Sequence, residues 1–349
     1  MMTISFCIPI FNRGKLLEKT MLSILYQTID DSVGIVVSDN ASTDNTQDLV
    51  KQYQQKYPNI IKYNENETNL GFYENTLIAI TKATGEYLWL FSDDDVLLQG
   101  VADKVLSEIG KHNPSFVYMN HAGFLEDECH EVVLKRYTDL IDCVYDSGED
   151  MILDMKRIGR VGHFSSTIYK KEHALKFIPV ARQYMETYSR GYAYISMTHH
   201  LILESPGPFV FIGKICLAVR NPFDSDYDGM RAHLIDNARL FQNLYNQQLI
   251  SEKTKVFLFD HFMKKGQFWR IILPARAKQN TILIKKQVDE IARLYKDSPG
   301  LYFHLYPVLF APRPIIIILY RIGWAIRRIR RKISQWRKKW FLGELLQSQ

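Results

Sequence analysis

The sequence predicts an α/β protein built on a doubly wound, mainly parallel sheet. Short apolar runs without alternation, typical of strands buried on both faces, occur at residues 4–8, 34–38 and 87–91. Amphipathic segments of about a dozen residues separate these runs, which indicates right-handed crossovers between parallel strands. Clusters of Asp and Asn follow the runs, at the sheet edge where such folds bind ligands.

The first strand, residues 4–8, ends where Pro9 limits further pairing. Helical spacing of apolar residues predicts a helix over 15–26, and a second strand, 34–38, precedes a helix that ends near residue 57. The alternation continues with strand 60–63, helix 72–83, strand 87–91, a helix over about 100–112 and strand 116–119.

Beyond residue 120 the pattern changes. Short strands at 165–169 and 209–219 predict an α+β half that completes the sheet, and helices are expected from 234–245 to about residue 296. We therefore expect three regions: an α/β domain over 1–225, with halves 1–120 and 121–225, a helical region over 226–306, and a tail over 307–349.

Composition indicates a folded protein of the reducing cytosol. Hydrophobic residues make up 46% of the 349 residues and charged residues 23%. There are only four cysteines and no Cys-x-x-Cys pair, so neither a disulfide framework nor a zinc ribbon is indicated. No basic segment precedes an apolar run at the start of the sequence, so no signal peptide is predicted.

The formal net charge of +6 comes from residues 313–349 in the C-terminal tail. Residues 313–349 hold ten Lys or Arg and one acid, which leaves 34 basic and 37 acidic residues elsewhere, a net charge of −3. Isoleucines and two tryptophans recur every three or four residues between Ile322 and Trp340. This pattern predicts a helix that lies on an anionic membrane surface, with a helix packed in the core or in an oligomer as the alternative. Nucleic acid is not expected as a partner of the main domain.

Three adjacent carboxylates, Asp93, Asp94 and Asp95, follow the strand 87–91 directly. Like charges repel, and a hard divalent cation with oxygen ligands would neutralise them. The alternative is a solvated loop in which one Asp caps the next helix. The residues of this stretch alone leave both interpretations open.

The residues that follow the other strands argue against some classes of nucleotide ligand. The turn after the first strand, residues 9–14, contains one glycine, whereas a dinucleotide-binding turn needs several. No P-loop motif occurs, which disfavours ATP or GTP hydrolysis. Asp39 ends the second strand, where it can accept hydrogen bonds from a ribose hydroxyl or a base N–H, or can form an Asx turn. Asn69 and Gly71 precede the next helix, whose N–H groups can face an anion.

Taken in order, these motifs resemble those of family 2 glycosyltransferases of GT-A fold, including bacterial enzymes of O-antigen, capsule and cell-surface polysaccharide synthesis. They are Pro-x-x-Asn-Arg from Pro9, Ser-Asp-Asn-Ala-Ser-x-Asp from Ser38, Asn-x-Gly from Asn69 and Ser-Asp-Asp-Asp from Ser92. The resemblance covers residues 3 to about 120 closely, and only a general similarity extends beyond. It implies a Rossmann-like nucleotide-binding half followed by an acceptor-side half.

The resemblance also implies site residues. The donor-binding set would be Pro9, Asn12, Arg13, Asp39, Asn69, Gly71, Asp93 and Asp94. Asp39 corresponds to the family's nucleobase-binding Asp, and Asp93 and Asp95 to the ends of its Asp-x-Asp motif. Asp95 would ligate Mn²⁺ or Mg²⁺, Asp93 would contact the metal or the ribose, and Asp94 would shape the turn. Such a cation neutralises the departing nucleoside diphosphate.

The catalytic base is less clearly marked. Many members carry a Glu-Asp pair about ninety residues after Asp-x-Asp; this sequence has none there, and Glu186 is the nearest match. The rivals are His163, the acids Asp224, Asp226 and Asp228, and, as metal ligands, His199 and His200.

The resemblance implies an inverting, metal-dependent glycosyltransferase, and the basic tail adds the expectation of membrane association. The enzyme would move a sugar from a nucleotide-diphosphate donor to a hydroxyl of a polyprenol-linked or polysaccharide acceptor, as a peripheral protein on the cytoplasmic face of the cell membrane. An oligomer is left open. The alternatives are a nucleotidyltransferase, which would need a basic glycine-rich segment where only residues 13–15 hint at one, and a catalytically inactive scaffold of the same fold.

Overall fold

The structure, a computed structural model, describes most of the chain. The described residues are 3–27, 32–126, 132–134, 139–154, 161–187, 193–220, 231–264, 281–296, 298, 311–312, 314–319 and 321–322. The chain divides into two compact units, Met1–Asp226 and Tyr227–Gln349.

Among the described residues, the first unit is built on one sheet of ten strands. The strands are β1 (Ile4–Ile10), β2 (Val33–Asp39), β3 (Ile61–Glu65), β4 (Tyr87–Leu90), β5 (Val96–Leu97), β6 (Phe116–Glu126), β7 (Val132–Leu134), β8 (Cys143–Tyr145), β9 (Thr167–Lys170) and β10 (Phe209–Arg220). Their order is β3-β2-β1-β4-β9-β6-β10-β5, with β7 paired to β6 and β8 paired to β10. The predicted doubly wound, mainly parallel sheet is confirmed.

Up to about residue 120 the helices of this unit alternate with the strands, as the sequence pattern predicts, and beyond it several helices follow one another between β9 and β10. They are α1 (Gly14–Leu25), α2 (Thr46–Lys56), α3 (Phe72–Lys82), α4 (Val101–His112), α5 (Gly148–Leu153), α6 (Lys171–Lys176), α7 (Ile178–Thr187) and α8 (Ala193–Glu204). Alternate residues of a strand point to opposite faces, so Phe6, Ile8 and Ile10 of β1 share a core with α1, α2 and α4.

Parallel pairing brings the strand ends that carry polar residues to one edge. Ile10 of β1 lies in register with Asp39 of β2, and Cys7 of β1 with Leu90 of β4. The backbone N–H of Asn40 donates to the carbonyl of Ile10 at 2.9 Å. The predicted end of pairing at Pro9 is wrong, because β1 continues through Pro9, in register with Ser38, to Ile10. Pro9 has no backbone N–H, but the strand pairing continues because the carbonyl of Ile10, the next residue, accepts from the N–H of Asn40.

The antiparallel strand β9 lies between β4 and β6. The sequence predicts this strand over 165–169, but Phe164–Ser166 form a 3₁₀ turn and the strand begins at Thr167. The indole N–H of Trp89 donates to the carbonyl of Ser165 at 2.9 Å, and Trp89 stacks on Phe6 with ring centroids 4.5 Å apart. The 3₁₀ turn is therefore anchored against β4 at the carboxyl edge.

The second unit is helical where it is described. A π-helical segment, Arg231–Asp236, leads into α9 (Asn237–Asn246), followed by α10 (Glu252–Lys264) and α11 (Thr281–Leu294). Tyr295 packs on Phe259 and donates its hydroxyl to the carbonyl of Leu234 at 2.7 Å. Residues 314–319 are helical, and most of the predicted amphipathic tail lies outside the described residues. In the described part of the chain, no helix has the length and hydropathy needed to cross a bilayer.

Candidate functional site

Ser92, Asp93, Asp94 and Asp95, here called the acidic turn, follow β4 at the carboxyl edge. Asp93 is 6% exposed and Asp95 is 3% exposed. Arg13, in the turn between β1 and α1, reaches two of the carboxylates. Its Nη1 donates to Asp93 Oδ1 at 2.7 Å and its Nη2 to Asp94 Oδ2 at 2.5 Å. Asp94 thus has a partner beyond its role in the turn.

Asp95 is held by three separate elements. Its Oδ2 accepts from the hydroxyl of Ser165 at 2.6 Å, and its Oδ1 accepts from the backbone N–H of Arg220, at the end of β10, at 2.9 Å. Thr20 of α1 donates to the backbone carbonyl of Asp95 at 2.9 Å. The carboxylate is therefore fixed in orientation before any ligand arrives.

The acidic turn carries more negative charge than its surroundings balance. Burial raises the pKa of Asp93 to about 7, an effect that the Arg13 guanidinium opposes and that Asp94 and Asp95 reinforce. Burial likewise raises the pKa of Asp95 to about 7, against hydrogen bonds from Ser165 and Arg220. A carboxyl pKa rises in this way when burial and like charges outweigh the cations and donors nearby.

The oxygen atoms of the acidic turn suit a hard divalent cation that is shared with a ligand. Within the described ranges, no group of three or more His, Cys, Asp or Glu residues forms a metal cage. Mg²⁺ is bound through one or two carboxylates plus substrate phosphates rather than by such a cage. Asp93 and Asp95 fit that requirement, since both are buried carboxylates at one sheet edge and the Arg13 guanidinium pairs with Asp93 and Asp94 but not with Asp95.

Asp39 lies at the same edge, fully buried, and the chain itself engages both of its oxygens. Oδ2 accepts from the hydroxyl of Tyr63 at 2.7 Å, and Oδ1 accepts from the backbone N–H of Ser42 at 2.9 Å. Burial and this hydrogen bond with Asp39 raise the pKa of Tyr63 above its usual range. Asp39 therefore closes the turn after β2 by accepting from the N–H three residues on, whereas an Asx turn joins residues two apart.

Asn12 links the turns that follow β1 and β2. Its backbone N–H donates to the hydroxyl of Ser42 at 2.9 Å, and its Oδ1 accepts from the backbone N–H of Thr43 at 2.7 Å. Its φ of +53° is a left-handed conformation that Asn tolerates better than most residues. Pro9 is buried within β1 and lies one residue before the strand end.

A network of asparagines holds the segment Asn69 to Gly71. Asn40 donates to Asn69 Oδ1 at 2.7 Å and accepts from the backbone N–H of Leu70 at 2.9 Å. Asn66 donates to Asn40 Oδ1 at 3.2 Å and to Asn75 Oδ1 at 2.9 Å. Gly71 has a φ of +85°, which a side chain would strain. Asn69 and Gly71 thus share the edge with Asp39.

A pair of stacked histidines, His121 and His163, lies on the other side of the 3₁₀ turn. Their ring centroids are 4.2 Å apart, and the Ser166 hydroxyl lies 2.9 Å from His121 Nδ1 and 3.2 Å from His163 Nδ1. Burial lowers the pKa of His121 to about 4, with an opposing effect from the carbonyl of Met119. Burial and the neighbouring His121 hold the pKa of His163 well below its usual range. Both imidazoles are neutral at pH 7.

The other base and metal candidates do not join the acidic turn in the described structure. Glu186 is exposed in the last turn of α7, and no hydrogen bond among the described residues connects it to Asp93 or Asp95. His199 Nδ1 contacts the carbonyl of Ile195 at 2.8 Å, and His200 Nδ1 contacts Glu204 at 2.7 Å, so both interact along α8. The acids of residues 224–228 lie outside the described residues.

Ser165, Ser166, Arg220 and His121 are the site residues that the sequence pattern misses. Ser165 and Ser166 follow His163, which the sequence predicts as a candidate base. Nothing in their spacing indicates that Ser165 contacts Asp95, 70 residues earlier in the chain. Arg220 contributes its backbone N–H, which no sequence pattern can single out.

Part of this chain is similar in sequence to known proteins. Residues 5–171 match the family model described as Glycosyl transferase family 2. The abequosyltransferase RfbV of Salmonella typhimurium is 41% identical over 97 residues, which cover 28% of this chain and 29% of that protein. The GalNAc(5)-diNAcBac-PP-undecaprenol beta-1,3-glucosyltransferase of Campylobacter jejuni is 37% identical over 106 residues, which cover 30% of this chain and 34% of that protein. The chain thus spans about a third or less of these relatives.

Among solved structures, residues 1–349 of S. aureus TarS, crystallised alone and in complex with UDP-GlcNAc, share the fold. The TM-score is 0.64 at 15% sequence identity, with 94% of this chain and 91% of TarS 1–349 covered by the crystal structure without ligand. The fold is the GT-A glycosyltransferase fold. The described site residues up to Ser166 lie within residues 5–171, the part of the chain that matches the model of glycosyl transferase family 2.

Proposed function

We propose that the protein is an inverting glycosyltransferase that uses a nucleotide-diphosphate sugar and a divalent cation, Mn²⁺ or Mg²⁺. The acceptor would be a hydroxyl of a lipid-linked or surface polysaccharide. The relative that supports this acceptor class is an enzyme whose name specifies an undecaprenol-linked glycan, and the abequosyltransferase supports the transfer of a sugar.

One observation carries the proposal: of three adjacent carboxylates at the carboxyl edge of a parallel sheet, two are buried, and Asp93 and Asp94 share the Arg13 guanidinium. A purely structural turn would gain little from so much buried negative charge, because desolvation of carboxylates is costly. A cation and a diphosphate bound there would restore the charge balance. Asp95 and Asp93 would hold the cation, which when bound withdraws charge from the departing diphosphate.

The chain's own residues would act around this centre. Arg13 forms ion pairs with Asp93 and Asp94, and its side chain is 42% exposed. It can therefore also contact a diphosphate bound at the acidic turn. Ser165 and the backbone N–H of Arg220 keep Asp95 in one orientation. We assign Asp39, with Asn12 and the Asn69 to Gly71 segment, to the nucleoside end. Since Tyr63 already donates to Asp39, a nucleobase would share this carboxylate with Tyr63 or displace it.

The acceptor hydroxyl must lose its proton as it attacks the anomeric carbon, and Glu186 is the proposed base. Its exposed position on α7 requires that the acceptor approach from that helix. Residues 313–349 would attach the protein to an anionic membrane surface, which suits an acceptor carried on a membrane lipid.

Isothermal titration tests the donor assignment. The full chain is titrated with UDP-, GDP-, CDP- and dTDP-sugars, each with and without Mn²⁺. We expect one nucleotide class to bind, and we expect either the omission of Mn²⁺ or Asp95→Asn to weaken binding at least about tenfold. Asp103→Asn, at an exposed position in α4, is the matched control and should bind like the wild type.

Two results would reject the proposal. If no nucleotide sugar binds, the chain is an inactive scaffold or takes another substrate. If Asp95→Asn keeps the affinity and Mn²⁺ dependence of the wild type, the acidic turn is not the donor site. Preferential binding of a nucleoside triphosphate would indicate a nucleotidyltransferase.

A further inference from the structure

The imidazole pair of His121 and His163 lies level with the acidic turn. Ile168 of β9 is in register with Trp89 of β4 on one side and with Val117 of β6 on the other. Asp93 and His121 each come four residues after these partners, at the same edge of the sheet. Two strand spacings separate them, which corresponds to roughly 10 Å. A group attached to a diphosphate at the acidic turn can span that distance.

Ser166 imposes opposite hydrogen-bonding roles on the two rings. Its hydroxyl is fully buried and has one hydrogen, and both Nδ1 atoms lie within hydrogen-bond distance of its oxygen. Two imidazoles that both donated to this oxygen would leave the buried hydroxyl hydrogen without an acceptor, which folded proteins avoid. One Nδ1 therefore accepts from Ser166 and the other donates to it.

The hydrogen-bonding role of the Nε2 atom on the far side of each ring is then fixed as well. The ring whose Nδ1 accepts carries its hydrogen on Nε2 and offers a donor, and the other ring offers a lone pair on its Nε2. Both histidines keep part of their surface exposed. The pair thus presents one donor and one acceptor about a ring-stacking distance apart.

Sugar hydroxyls match this pair, since each can donate and accept one hydrogen bond in the same contact. A carboxylate or phosphate would meet only one donor and no positive charge, because both imidazoles are neutral at pH 7. A general base is disfavoured as well, because burial lowers the pKa of His121 to about 4 and so makes its imidazole a weak proton acceptor.

We propose that His121 and His163 form a subsite for hydroxyl groups of the donor's sugar, with one imidazole donating and the other accepting. This inference rests on the proposed function, because it takes the acidic turn as the site of the diphosphate. The subsite selects the sugar and leaves binding of the nucleoside diphosphate unaffected.

Paired amide substitutions test this role. The side-chain amide of Asn reaches the position of the imidazole Nδ1, and that of Gln reaches the position of Nε2. His163→Asn therefore keeps the contact with Ser166 and removes the ligand-facing atom, whereas His163→Gln does the reverse. The probes are the nucleotide sugar that binds the wild type in the donor panel and the corresponding nucleoside diphosphate, both measured by titration with Mn²⁺.

We expect His163→Asn to weaken binding of the nucleotide sugar about tenfold, the effect of one lost neutral hydrogen bond, and His163→Gln to keep most of the affinity. Unchanged affinity for the nucleoside diphosphate shows that each variant is folded. His112→Asn, on α4, serves as the control.

The subsite is refuted if His163→Asn binds the nucleotide sugar like the wild type, or if it loses affinity for both probes equally. It is also refuted if His163→Gln is the more impaired variant, since that result assigns His163 to holding Ser166 only. If the wild type binds no nucleotide sugar, the proposed function fails first, and the subsite fails with it.

Discussion

Ser165→Ala removes a hydroxyl that joins two parts of the acidic turn. This hydroxyl accepts from the backbone N–H of Ser92 at 2.9 Å and donates to Asp95 Oδ2 at 2.6 Å, in a residue with no exposed surface. A hydrogen bond to a charged group contributes about 1.5–3 kcal/mol and one between neutral groups about 0.5–1.5 kcal/mol. We therefore expect the free energy of unfolding to fall by about 2–4 kcal/mol.

For a unit of 226 residues, a loss of 1 kcal/mol lowers Tm by about 2–4 °C, so Ser165→Ala should melt about 5–15 °C below the wild type. Calorimetry without metal measures this shift. Free Mn²⁺ is measured separately by electron paramagnetic resonance, and we expect the variant to bind Mn²⁺ about tenfold more weakly, because Asp95 is no longer held in orientation.

Ser107→Ala, an exposed position on α4, is the matched control for both measurements. A Ser165→Ala protein that melts within about 1 °C of the wild type would refute the assigned hydrogen bonds, since a surface substitution has an effect of that size. A large fall in Tm with unchanged Mn²⁺ affinity would keep the hydrogen bonds and refute the orientation of Asp95 for metal binding.

Two further predictions concern the base and the tail. Glu186→Gln should lower kcat by about two to four orders of magnitude with donor affinity unchanged, as expected for loss of a general base, and near-normal kcat would remove Glu186 from the mechanism. Glu172→Gln, exposed on α6, is its control. Reversing the charge of Arg330 and Arg331 to Glu should reduce sedimentation with phosphatidylglycerol vesicles at least tenfold, since each basic residue near such a surface contributes about 1 kcal/mol. Equal sedimentation of both proteins, or binding to neutral phosphatidylcholine, would contradict membrane attachment through the tail.

The first half of the fold follows from local patterns. Apolar runs without alternation predict β1, β2 and β4 because each is buried on both faces, and the intervening helical periods predict parallel crossovers. Parallel pairing then requires that Asp39 and Asp93 lie at one edge. That inference needs no contact between residues distant in sequence.

The parts that the sequence could not predict depend on distant partners. The bond from Ser165 to Asp95 spans 70 residues and that from Arg220 to Asp95 spans 125, and both arise because β9 and β10 complete the sheet beyond β4. Asn40 and Asn75 look like ordinary turn and helix residues in the sequence. Their amides form a buried network only because three loops meet at the same edge.

The 3₁₀ turn Phe164–Ser166 shows how these distant contacts form one site. Phe164 packs against Phe72 at the start of α3 with ring centroids 5.3 Å apart, Ser165 holds Asp95, and Ser166 holds the imidazole pair. Three consecutive residues therefore touch the helix start, the proposed cation ligand and the proposed sugar subsite. Because the turn is tied to Trp89 of β4, these three contacts cannot shift independently. A substitution that displaces the turn should therefore change Mn²⁺ affinity and sugar selection together, whereas His163→Asn should change the second alone.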